Sequence, residues 1–349
     1  MIPVFDGHND LLYRLNAAPD RRAAIWDGSD AKGHLDLPRI KAGGFAGGFF
    51  AVYVPSPHDV DAPNFLSRMD NPPYDFALDA LIDHAAAQPV ALAQIGHLKW
   101  LERTGDLTIC TSTAQIRAAM AAGTIAAILH FEGAEAIDPA LDALYAFHAA
   151  GLRSLGPVWS RPTIFGHGVP FRFPAGPDTG PGLTAAGKRL VQGCNALKIM
   201  LDLSHLNQAG FDDVAALSDA PLVATHSNAH AVCPSSRNLT DRQLAQIRAS
   251  GGMVGLNFAT CFLRPDGRES ADMTLEPMLR HLDHLIGALG EDHVGFGSDF
   301  DGATMPAQIK DVTGLPVLLA ALRAHGYSEP LLHKLAHGNW LALLDRTWA

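Results

Sequence analysis

Six residues of the types that bind cations or move protons stand at the ends of five apolar runs of this chain. His8 and Asp10 follow IPVFDG, Glu132 follows TIAAILHF, His205 follows IMLDLS, His226 follows PLVAT, and Asp299 follows HVGFGS. A buried strand needs no charge or imidazole at its end, whereas a hydrolytic metal centre needs carboxylate oxygens and imidazole nitrogens brought to one place. His8 and Asp10, two positions apart, fall on the same side of a strand and can grip one ion. Glu132 has no Arg or Lys close in sequence to neutralise it, so a cation is a natural partner for it once buried, and its two oxygens can bridge two ions. Its neighbour His130 is expected to point away from it. His205 and His226 sit at the same phase of MLDLSHL and LVATHSN. Neutral imidazole and carboxylate together suit zinc, with manganese, cobalt or iron as substitutes. Asp299 is placed to take a proton from a metal-bound water and pass it to a leaving amine. Asp301 competes for that role but reads as an N-cap or turn residue.

The elements that must carry these residues are short apolar runs alternating with segments of helical period, the pattern of a parallel sheet with crossover helices. Strands are expected over 2–6, 45–54, 125–131, 152–159, 199–204, 222–225, 253–258 and 294–297. Helices are expected near 75–103, 138–149, 183–197, 207–218, 239–249 and 273–288, with a helical region over 312–349. Eight strands in this rhythm predict one α/β domain across residues 1–349, a (β/α)8 TIM-type barrel. Two stretches interrupt it. Residues 55–74 are rich in Pro, Asp and Asn, and residues 160–182 carry five prolines and five glycines. Both follow strands, which on a barrel places them on the catalytic face.

Composition narrows the partners. The chain has 349 residues, 48% of them hydrophobic, and a formal net charge of −10. With no run of Lys or Arg to track a phosphate backbone, nucleic acid is not an expected partner. No stretch reaches the roughly 18 apolar residues of a spanning helix, so no membrane association is expected, and the start lacks the pattern of a secretory signal. A cytoplasmic location follows as the expectation. Cys110, Cys194, Cys233 and Cys261 are widely spaced and read as reduced thiols.

Taken together, DGHND at 6–10, FEG at 131–133, LSH at 203–205, THS followed by SSRN within 225–238, and GSDFDG at 297–302 resemble the membrane dipeptidase (renal dipeptidase) pattern, peptidase family M19 of the amidohydrolase superfamily. The resemblance implies a barrel with two zinc ions, one held by His8 and Asp10, the other by His205 and His226, with Glu132 between them. It also implies that Arg237 receives the C-terminal carboxylate of a dipeptide and that Asp299 contacts its free amino end. The residue types agree for Arg237, whose planar fork matches a carboxylate in bidentate fashion. One departure stands out. Where the family usually has a histidine facing the scissile carbonyl, this chain has Trp159 in PVWSRP. Tryptophan donates one N–H and transfers no proton, so the oxyanion would rest on the metal, on His167 or on Arg161.

The function these readings predict is a binuclear zinc dipeptidase that cleaves L-Xaa-L-Xaa or L-Xaa-D-Xaa with a hydroxide shared by the two metals. The alternatives are a lactonase or N-acyl amino acid hydrolase on the same centre, or a noncatalytic metal-binding barrel. The helical tail is free at this stage either to pack on the barrel or to form a homodimer surface.

Overall fold

The computed structural model describes residues 1–56 and 65–349; eight residues of the first expected insertion, 57–64, lie outside the described residues. Eight parallel strands form the barrel: β1 Val4–Asn9, β2 Phe45–Tyr53, β3 Ile125–Glu132, β4 Leu152–Gly156, β5 Met200–Leu201, β6 Val223–Ala224, β7 Met253–Leu256 and β8 Val294–Phe296. They run in the spatial order β5-β4-β3-β2-β1-β8-β7-β6. The ring closes between β5 and β6 through a parallel bridge of Asp202 with Val223, reinforced by the Leu203 N–H donating to the Val223 carbonyl at 2.8 Å. All eight expected strands are present, and the (β/α)8 barrel is the fold.

Sequence periodicity misplaced several boundaries. β4 stops at Gly156 because Pro157 has no N–H to extend the ladder. Trp159 therefore lies beyond β4, in an isolated bridge with Arg161. The first long helix is His84–Thr104 and not 75–103, because the Asp83 carboxylate accepts from the Ala85 N–H and fixes its start. Helices at Leu11–Ala17, Arg22–Asp27, Leu37–Gly43 and Thr113–Ala122, and a strand at Leu107–Ile109 that pairs in parallel with the first residues of β3, were not anticipated. The two long insertions meet: Tyr74–Asp75 pairs antiparallel with Arg172–Phe173. That ribbon joins loops following β2 and β4.

The C-terminal helix Asn339–Thr347 packs on the barrel. Trp340 is fully buried, and its indole N–H donates to the Phe296 carbonyl at 2.9 Å. Gly7, Gly255 and Gly295, on the adjacent strands β1, β7 and β8, make the room for it, since a Cβ on any of them would run into the indole. Trp340→Ala should empty this space and cost about 3–5 kcal/mol of stability, read from urea denaturation.

Candidate metal centre

The register of β1 is irregular between Asp6 and Asn9, and Asp6 and His8 meet different partners. Asp6 is spent structurally: its carboxylate accepts the Ser298 N–H and hydroxyl, both at 2.7 Å, which ties β1 to β8. Burial pushes it up to about 7 against these donors. His8 is fully buried, and neither ring nitrogen has a hydrogen-bond partner. Its Nε2 lies 3.4 Å from Asp10 Oδ2 and 3.6 Å from Glu132 Oε2. The other oxygen of Glu132 faces the later histidines: Oε1 is 3.0 Å from His205 Nε2 and 3.3 Å from His226 Nε2, and these nitrogens are 3.1 Å apart. Glu132 thus presents one oxygen to each of two donor sets.

The electronics of this cluster call for a cation. The Thr225 hydroxyl donates to Asp202 Oδ2 at 2.6 Å, so at 2.8 Å it accepts from His226 Nδ1, which leaves a lone pair on His226 Nε2. His205 Nδ1 is likewise held by Ser160 Oγ at 2.8 Å. Burial, with Arg237 and His8 adding to it, holds both imidazoles well below the ordinary histidine value, so both are neutral. Two imidazole nitrogens and a carboxylate oxygen packed 3.0–3.3 Å apart repel unless a proton or a cation lies among them. Tetrahedral donors about 2.1 Å from one ion are themselves about 3.4 Å apart, so this spacing fits zinc. Burial raises Glu132 well above the carboxylate range although His8 opposes it. His8 is pushed up to about 10, burial notwithstanding, because Glu132 and Asp10 favour its charged form.

Asp299 sits just past β8 in left-handed backbone, φ 63°, and its Oδ2 accepts from Asn257 Nδ2 at 2.8 Å. With His8 and Asp10 it forms a second trio whose ligand atoms lie within 4.8 Å of one another, beside the trio of His8, Glu132 and His226. Burial, then the Asp10 charge, raises Asp299 to about 6. Arg237 is buried beneath Phe262, 5.8 Å from its ring centroid. It donates through Nη1 to Ser227 Oγ (2.7 Å) and through Nη2 to the His226 carbonyl (2.8 Å), and its Nε–H has no partner. Asp301 turns elsewhere, accepting from the His34 N–H at 2.5 Å and facing Arg14 at 3.4 Å.

Trp159 is half-buried in an aromatic wall, with ring centroids 5.2 Å from Tyr53, 5.5 Å from Phe171 and 5.8 Å from His205. Arg161 is not available to an oxyanion. It is fully buried and pairs with Glu135 Oε1 at 2.6 Å, with Ser56 Oγ at 2.5 Å and with the Val54 carbonyl at 2.9 Å, bracing the ends of β2 and β3. Among the described residues no hydrogen bond or ring contact joins His167 to the cluster. His130 also differs from expectation. Two positions from Glu132 on one strand it shares that side, buried, with its ring 5.5 Å from His8. Ser160, Asp202, Thr225 and Asn257 escaped sequence reasoning. The residue before each histidine plays a different part: Thr225 meets His226 Nδ1, whereas Ser204 accepts the His226 N–H (3.2 Å) and Ser160 meets His205.

The family model of the membrane dipeptidases (peptidase family M19) matches residues 1–347. The chain is 68% identical to a metallo peptidase from Rhodobacter sphaeroides whose crystal structure is liganded with a phosphinate mimic of the dipeptide L-Ala-D-Ala, with TM-score 0.98 over 99% of each chain. A second solved structure, the family M19 metallo peptidase dipeptidase AC, is 67% identical with TM-score 0.97 over 99% of each chain. The dipeptidase verJ of Clonostachys rogersoniana is 29% identical over 99% of this chain and 84% of its own length. The chain is a metallo-dipeptidase-type enzyme and belongs to the membrane dipeptidase family, peptidase family M19.

Proposed function

We propose that this enzyme is a binuclear zinc dipeptidase acting on L-Xaa-L-Xaa or L-Xaa-D-Xaa. The observation that carries this reading is the split of Glu132, one oxygen toward His8 and Asp10 and the other toward His205 and His226. His8 and Asp10 would hold one ion, His205 and His226 the second, and Glu132 both. When bound, such a pair lowers the pKa of water to make a nucleophile and polarises the scissile carbonyl.

The remaining work falls to side chains. Arg237 receives the C-terminal carboxylate, using a guanidinium whose Nε–H is still unpaired. Asp299 is ionised at neutral pH, so it accepts the proton of the attacking water and delivers it to the departing amine. Trp159, Tyr53 and Phe171 give one wall an apolar, water-excluding face. The phosphinate carried by the Rhodobacter relative supports both the substrate length and a D-residue at the second position, because a tetrahedral phosphorus imitates the adduct formed at a peptide carbonyl.

The test is zinc reconstitution, metal analysis and a panel of dipeptides of both C-terminal configurations, with N-acyl amino acids and acyl-homoserine lactones alongside. Two zinc equivalents per chain and dipeptide turnover are expected. The aromatic wall around Trp159 also suits an acyl chain, so hydrolysis of the acyl compounds with dipeptides inert would replace this reading by the second. A single equivalent at full activity would remove the binuclear part.

A further inference from the structure

We propose that Asp202 is a positioning residue which, through the Thr225 hydroxyl, sets the proton of His226 on Nδ1 and so keeps Nε2 open as a donor. The inference rests on the zinc reading for its purpose, but its geometry stands by itself. Asp202 is 2% exposed and follows directly on β5. Its two oxygens are divided. Oδ1 accepts the Ser204 N–H at 3.0 Å and the Thr225 N–H at 2.8 Å; Oδ2 accepts the Thr225 hydroxyl at 2.6 Å. A hydroxyl has one proton to give. With that proton committed to a carboxylate, Thr225 Oγ1 can only accept from His226 Nδ1, 2.8 Å away.

The direct path is longer, 3.9 Å from His226 Nδ1 to Asp202 Oδ2, so the link runs through the hydroxyl. His130 Nε2, at 3.6 Å from the same oxygen, makes no hydrogen bond to it and does not compete. His205 is held differently. Its Nδ1 meets Ser160 Oγ, on the insertion after β4, and among the described residues that hydroxyl makes no second hydrogen bond. One candidate ligand is thus anchored to a buried carboxylate and the other to a hydroxyl with no second partner. Outer partners of this kind fix ring orientation and raise ligand basicity, and losing them typically weakens metal binding about 10–100-fold.

Asp202 has a structural part too, because its backbone bridges Val223 to close the barrel. The experiment must separate the two. Asp202→Asn keeps an oxygen for the two backbone N–H groups but puts an amide donor at the Oδ2 position. The Thr225 hydroxyl must then accept from that amide and donate to His226 Nδ1, which moves the imidazole proton to Nε2. Proton and nitrogen-15 NMR of the metal-free protein should show His226 as the Nδ1–H tautomer in wild type and the Nε2–H tautomer in Asp202→Asn. Zinc binding measured by chelator competition should weaken about 10–100-fold for one of the two ions. Thr225→Val should lose the tautomer preference and the affinity, and Thr225→Ser should restore both. An unchanged tautomer in Asp202→Asn, or wild-type zinc affinity in Thr225→Val, would overturn the relay. Wild type showing the Nδ1–H tautomer yet binding no zinc would instead overturn the function proposed above and leave the relay standing.

Discussion

Glu132→Gln is expected to remove zinc from the protein and to lower kcat/KM by about a thousandfold or more, the effect of losing several kcal/mol of transition-state stabilisation. The substitution keeps shape and volume but replaces one oxygen by an amide that donates and cannot ligate. Because Glu132 Oε1 faces His205 and His226 while Oε2 faces His8, either orientation of the amide spoils one donor set. Metal analysis after dialysis, with the dipeptide assay, checks this; two retained equivalents would refute it. A pH signature accompanies the loss. In metal-free wild type His8 titrates near 10, above the ordinary histidine value of 6.5. Its protonation therefore favours the native state below about 6.5, and that contribution drains away as pH rises toward 10. Chelator-treated wild type should melt progressively lower from about pH 7 to 10. Glu132→Gln should flatten that slope, since the Glu132 charge is foremost among those holding the proton on His8 against burial.

Asp299→Asn should leave zinc content intact while reducing kcat about 10²–10⁴-fold, the range for a lost proton-transfer group. The new amide can keep its own oxygen toward the Asn257 Nδ2 donor, whose amide is fixed by the Ala259 N–H on Oδ1, so the local fold survives. A base works only when ionised, so in wild type kcat/KM should rise with pH through the Asp299 pKa. Burial and Asp10 place that value at about 6 without metal, and nearby cations move it lower, so the acid limb belongs at or below pH 6. In Asp299→Asn the limb should vanish. A retained limb would assign it to another group, and retained kcat would take the proton transfer away from Asp299.

How much of this was legible in the chain follows from which forces placed each part. β1 to β4 and β6 to β8 were readable because strands buried on both faces must be apolar throughout; all eight residues of β3 are buried. The gathering of His8, Asp10, Glu132, His205 and His226 followed, since a barrel collects the carboxyl ends of its strands. The run after β5 read as strand to Ser204, yet its ladder ends at Leu201. Asp202 and Leu203 still pair through the backbone to close the ring, and only at Ser204 does the Asp202 side chain take the N–H, which ladder periodicity does not encode. His205 and Asp299 both adopt left-handed φ, 69° and 63°, a conformation that neither residue type announces. Arg161 read as a candidate oxyanion donor from the inserted loop because its partner Glu135 arrives from another strand's end. The Thr113–Ala122 helix escaped because much of it is alanine, which marks no face.

The indole seated against Gly7, Gly255 and Gly295 belongs to Trp340, 333 positions after the first of them. During synthesis every strand of the ring leaves the ribosome before its floor does. While residue 340 remains in the exit tunnel, the glycine hollow in β1, β7 and β8 has nothing to fill it. Nascent chains stalled short of residue 340 should thus hold a loosely packed ring.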